Sequence, residues 1–134
     1  MIEYVYAIIL LTTLDAIWIS CNFSRYNRLI TNVQGNPIKM NIIPAALAYA
    51  CMYIGLALCV LPHAKRDVGK SKLFRAMRHG ALFGLVTYGI YNATNGAILS
   101  NYDTMTGIMD TCWGTFAYFF VTWIFLVFTE HNGV

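Results

Sequence analysis

The sequence predicts an all-α fold: a polytopic membrane protein whose single domain, residues 1–134, is a bundle of four transmembrane helices. Three observations predict it. Of 134 residues, 58% are hydrophobic and only 11% are charged. Soluble domains carry about 25% charged residues, and a small one needs them to cover its large surface. The charges gather in short windows, and between them run four apolar stretches, each meeting the roughly 20 residues that cross a bilayer core as a helix. The apolar residues go all round each stretch, which fits lipid and not an amphipathic soluble bundle. Buried strands are the alternative reading of an apolar run, but strands are typically about 5–6 residues long, and turn signals are absent inside these runs.

The first helix is predicted over about 4–23, broken only by Asp15. Its start lacks a basic region, and Cys21-Asn22-Phe23-Ser24-Arg25 is a poor cleavage site, so it is expected to remain as a span. The second covers about 42–61. Pro44 falls in its first turn, where a missing N–H costs little, and Pro62 is expected to end it. The third covers about 79–99, and the fourth about 106–128, including the aromatic segment from Phe116 to Phe128. The first connection, 24–41, holds a turn at Asn36-Pro37, and its front part extends the first helix or lies at the interface. The second, 63–78, holds Lys65, Arg66, Lys70, Lys72, Arg75 and Arg78. The third, 100–105, is a tight link without a basic residue.

The net charge of +3 is too modest to argue for nucleic acid. The basic residues flank apolar segments, so the lipid bilayer and its anionic headgroups are the expected partners, with the second connection a basic, lipid-facing loop. Four spans put both termini and this connection on one side. That side holds six of the nine Lys and Arg; Arg25, Arg28 and Lys39 lie on the other. The positive-inside rule then places the termini in the cytoplasm. Cys21, Cys51, Cys59 and Cys112 form no C-x-x-C pair and are expected to be small packing residues, not disulfides or metal ligands. No cofactor is implied.

Ionisable groups inside a membrane are costly, by roughly 2.5–3.5 kcal/mol on insertion scales. Asp15 is the clearest case, and Asp110, Asn92 and Asn95 join it. At 1.5 Å per residue, Asp15 sits roughly 17 Å into its helix, Asn92 and Asn95 roughly 20–24 Å into theirs, and Asp110 roughly 6–9 Å from the opposite surface. All four fall in the membrane half opposite the basic connection. Asp15 and Trp18, and Asp110 and Trp113, share an Asp-x-x-Trp spacing that puts each pair on one helix face, where the indole N–H can donate to its own helix's carboxylate. Trp18, Tyr88, Tyr91 and Trp113 stand as support for this polar cluster. Interhelical glue is the plainer reading of the amides. Asp15 is either a buried structural acid or a functional one, and Asp110 is either part of the cluster or an interfacial group in contact with water.

Gly80 and Gly84 form a small-x-x-x-small pair, and Gly89 and Gly96 add a second notched face, which marks the third helix as the centre of the bundle. Tyr4, Tyr6, Tyr102, Trp123, Phe125 and Phe128 sit near span ends as an aromatic belt. His63 and His79 lie across the membrane from Asp15 and Asp110. No soluble-enzyme motif is present.

Leu14-Asp15-Ala16-Ile17-Trp18, then Gly80 to Tyr88 continuing through Tyr91-Asn92-Ala93-Thr94-Asn95, then Asp110-Thr111-Cys112-Trp113-Gly114-Thr115, resemble the signature of the domain-of-unknown-function family 2177, over nearly the whole chain. The resemblance implies a small four-helix membrane protein of bacterial or large-DNA-virus type. It marks Asp15, Trp18, Tyr88, Asn95, Asp110 and Trp113 as matching positions. An Asp usually stands where this chain has Asn92, and an amide cannot release a proton, which counts against a proton relay there. Three functions compete. One is a structural or interaction protein in a bacterial plasma membrane or viral inner membrane, partnered by itself or by other membrane or capsid proteins. The second is a small proton- or cation-coupled transporter or channel using the Asp/Asn cluster. The third is a membrane-embedded lipid-modifying enzyme, the least supported, because no nucleophile–base pair or metal set is visible.

Overall fold

The computed structural model describes residues 1–131 as four long helical rods with short links, and no strand occurs among the described residues. We label them α1 (Ile2–Gln34), α2 (Ile42–Arg66), α3 (residues 72–98) and α4 (Thr104–His131). By length and composition α1, α2 and α4 suffice to cross a membrane. The third rod has the length, but its glycines, tyrosines, Asn92 and Asn95 make it less apolar. Large apolar side chains cover the outside, among them Ile9, Ile17, Leu47, Leu58, Ile90 and Phe128, as expected where lipid is the solvent.

Local signals set the ends. α1 continues past Phe23 to Gln34 and stops at Gly35, whose φ of 77° only glycine adopts freely. The Asn27 side chain accepts from the Ile38 N–H at 2.9 Å, folding the link back on α1. Asn41 caps α2 through the Ile43 N–H. Pro62 does not end α2, contrary to expectation. A π turn, Gly55–Val60, directly precedes it, with the Leu61 N–H bonded to the Leu56 carbonyl. This wider turn spreads the carbonyls a proline ring would otherwise strike, and the rod runs on to Arg66. α3 starts at Lys72, earlier than the apolar pattern predicts, because Ser71 caps it by accepting from the Phe74 N–H. It holds a second π turn, Ala76–Ala81. Asp103 caps α4, accepting from the Met105 N–H at 3.1 Å and the Thr106 hydroxyl at 2.5 Å.

The fourth rod, not the third, is the centre. Tyr118, Val121, Thr122 and Leu126 on α4 are completely buried, packed with Ala7 and Leu11 of α1 and Leu56, Val60, Leu61 and Ala64 of α2. The third rod lies on α4 through two glycines. A Cβ on Gly80 would sit 2.5 Å from the Tyr118 carbonyl, and one on Gly84 would strike the Gly114 backbone. Gly89 and Gly96 make no such approach: a Cβ there would meet only the Thr111 methyl at 3.8 Å and the Tyr102 ring at 3.6 Å. The four cysteines all face outward instead of packing within the bundle.

Arg75 departs from the expectation of a lipid-facing loop. It is 2% exposed. Its Nε donates to the Ala64 carbonyl at 2.7 Å and its Nη2 to the Lys65 carbonyl at 3.1 Å. Its Nη1 donates to Glu130, which also pairs with Lys72 at 3.3 Å. The last carbonyls of a helix lack partners within it, and Arg75 supplies them for α2 while fastening the end of α4.

Candidate functional site

The polar cluster forms where α1 and α4 run antiparallel. Trp18 and Trp113 stack face to face, with ring centroids 4.6 Å apart and planes 2° from parallel. Asp15 and Asp110 flank this stack from opposite sides along the bundle. With the rings stacked, neither indole pairs with the Asp of its own Asp-x-x-Trp. The Trp113 N–H donates to Asp15 Oδ1 across the interface, at a long 3.4 Å. The Trp18 N–H donates to the Tyr26 hydroxyl at 2.8 Å, and Tyr26 donates to Asp110 Oδ1 at 2.6 Å.

The other two rods supply the remaining donors. From α2, the Tyr49 hydroxyl donates to Asp15 Oδ2 at 2.8 Å. From α3, the Asn92 amide donates to Asp110 Oδ2 at 2.9 Å, and also to the Tyr88 carbonyl and the Thr111 hydroxyl. Tyr102, at the link into α4, donates to Asn92 Oδ1 at 2.6 Å.

Proton counting fixes several directions. An indole N–H only donates. The Tyr26 oxygen therefore accepts from Trp18, and its single hydrogen goes to Asp110. The Asn92 oxygen accepts from Tyr102, so its nitrogen faces Asp110. Asp110 is thus an acceptor at both oxygens. No Lys, Arg or His pairs with Asp15 or Asp110 among the described residues. The side-chain hydrogen bonds divide at the stacked indoles: one branch runs from Tyr49 through Asp15 to Trp113, the other from Trp18 through Tyr26, Asp110 and Asn92 to Tyr102. No three His, Cys, Asp or Glu side chains converge as a metal set among the described residues.

Of the residues singled out in the sequence, Asp15, Trp18, Asn92, Asp110 and Trp113 meet here, with Asp15 and Asn92 each 7% exposed. Tyr88 contributes its carbonyl, while its ring lies over Gly114. Asn95 and Tyr91 stand apart. Asn95 is half-buried, with no side-chain hydrogen bond among the described residues, and Tyr91 is 61% exposed. Tyr91 is turned by about 100° from Asn92, whereas Asn95 shares the Asn92 side of the helix but sits nearly one turn closer to the end of α3.

Sequence reasoning missed Tyr26, Tyr49 and Tyr102. Tyr26 follows Asp15 by three helical turns on one face, and Tyr49 and Tyr53 share a face of an otherwise apolar rod; both signals are visible in the sequence. Tyr53 meets Thr12 of α1 at 2.8 Å. Tyr102 belongs to no belt here and turns inward to Asn92. Beside it, Asn92, Tyr102 and Thr111 edge a groove of about 520 Å³ between α3 and α4, walled by Gly89, Gly96 and Gly107. At its rim, outside the span, the Thr106 hydroxyl holds the Asp103 carboxyl below its usual range.

Comparison with curated proteins and with solved structures returns no match. The family model described as "Predicted membrane protein (DUF2177)" matches residues 1–127, and the chain belongs to that family.

Proposed function

We propose that the protein has a structural or interaction role in its membrane, as a component of a larger assembly such as a viral inner membrane, with both termini on the cytoplasmic side. In this reading the acid cluster is a clasp that holds the four rods in register. The outer faces are left for lipid, for further copies, or for other membrane or capsid proteins. One observation carries it: both oxygens of each acid accept from side chains of other helices, Asp15 from Tyr49 and Trp113, and Asp110 from Tyr26 and Asn92. The break at the indole stack also leaves no side-chain hydrogen-bond path from one acid to the other among the described residues.

Asp15→Asn tests the reading. The amide retains an oxygen for the Tyr49 hydroxyl, so its stability in detergent is expected to stay within about 1 kcal/mol of the wild type. Neither form should carry proton or cation flux in liposomes. Flux in the wild type that vanishes in a folded Asp15→Asn variant would overturn the proposal.

A second reading, a small proton- or cation-coupled transporter or channel, is favoured by the groove at Asn92 and Tyr102, one hydrogen bond from Asp110. It predicts the flux result just described.

A further inference from the structure

The six basic residues at the end of α2, in the link and at the start of α3 form two sets. Lys72 and Arg75 are engaged by Glu130, and Arg78 lies 3.6 Å from Asp67. Lys65, Arg66 and Lys70 make no ion pair among the described residues. Arg66 and Lys70 are exposed and Lys65 half-buried. Their patch also carries uncovered apolar side chains: Val68 is 80% exposed, Met77 55%, Leu73 53% and Phe74 47%.

We propose that this surface docks anionic phospholipid headgroups through Lys65, Arg66 and Lys70. The combination of charges selects the partner. Six cations face three acids on this side, Asp67, Glu130 and Glu3 in the first turn of α1 near Lys65, and the excess favours an anion. The interleaved Val68, Leu73, Phe74 and Met77 choose among anions. At a lipid surface they enter the acyl layer while long basic side chains reach up to phosphate. A soluble polyanion would leave them in water. The link spans only residues 67–71, so the patch lies at the ends of two rods, at headgroup height. Because Arg75 already serves the terminal carbonyls of α2, the three free cations have no structural duty to compete with lipid.

The test uses the full chain in mild detergent, titrated with short-chain phosphatidylglycerol and, separately, phosphatidylcholine, with bound lipid counted by native mass spectrometry. The wild type should prefer phosphatidylglycerol, and the preference should weaken with salt. Each cation removed should lower it roughly five-fold, and the triple variant Lys65→Gln, Arg66→Gln, Lys70→Gln on the order of a hundred-fold. Arg25→Gln with Arg28→Gln, on the other side, should leave this component of binding in place. Should the triple variant fail to fold, Lys70→Gln alone, in the link, should still show the five-fold loss. An undiminished preference in these variants, or none in the wild type, overturns the proposal. So does a short oligonucleotide or heparin fragment that binds the same three residues as tightly as phosphatidylglycerol.

Discussion

Around Tyr118 and Leu126 the rods meet as apolar surfaces; around Asp15 and Asp110 they meet through hydroxyls, amides and indoles. The first region fills the half nearer the basic connection and contains most of the buried apolar residues. In the second, the Ile42–Ile54 part of α2 has no fully buried residue and is tied to α1 by the Tyr49–Asp15 and Tyr53–Thr12 contacts. Lipid tails are as apolar as leucine, so burial alone gives helices little reason to associate in a bilayer. One half answers with glycine-notched contact and the Arg75 clasp, the other with directed hydrogen bonds. The difference teaches that a single small bundle can use both routes, and that each should fail in its own way.

The largest expected effect is in the close-packed half. Gly84→Leu drives a side chain into the Gly114 backbone and should cost about 3 kcal/mol or more, read as loss of monodisperse protein on heating in detergent. Gly89→Ala should be nearly silent in the same assay. If both behave alike, the seam has been misassigned. Arg75→Met comes next: it strands the Ala64 and Lys65 carbonyls and should cost about 2 kcal/mol, with Glu130→Gln costing less because Glu130 is half-open to solvent. In the polar half, Tyr49→Phe should cost about 1 kcal/mol and Tyr53→Phe about half of that. Neither should disturb tryptophan fluorescence from the Trp18–Trp113 stack as much as Trp113→Phe does. A Tyr49→Phe loss larger than that of Arg75→Met would reverse the ranking of the two halves.

The helical class was legible because twenty-residue apolar runs have few other physical solutions. The family signature and the five residues that meet in the cluster were legible for a related reason: a polar group at membrane depth must be explained by another. Less legible were partners that lie on other rods. The sequence shows that Trp18 shares a face with Asp15 but not that ring stacking sends its N–H elsewhere. Asn95 stood with Asn92 in the cluster because a shared face and similar depth do not reveal a partner on another rod, and Tyr91 stood as support because depth alone does not give rotation. Arg75 looked like its basic neighbours because nothing local announces that Glu130, far along the chain, will sit beside it. Pro62 misled because a π turn leaves no mark of its own in the residue pattern.

That π turn bears on how this chain tolerates insertions and deletions. Gly55–Val60 accommodates one residue more than an ordinary turn would. Deleting a single residue there would relax the helix to standard winding and leave both flanks near their present angles, whereas deleting one elsewhere in α2 would rotate everything upstream of it by about 100°. A deletion between Tyr53 and the wide turn would dial Tyr49 and Tyr53 away from α1. The wide turn is thus a store of slack, able to give up one residue without changing the angle at which the first part of α2 presents its hydroxyls, whereas a length change upstream of it would unfasten the polar half while sparing the other.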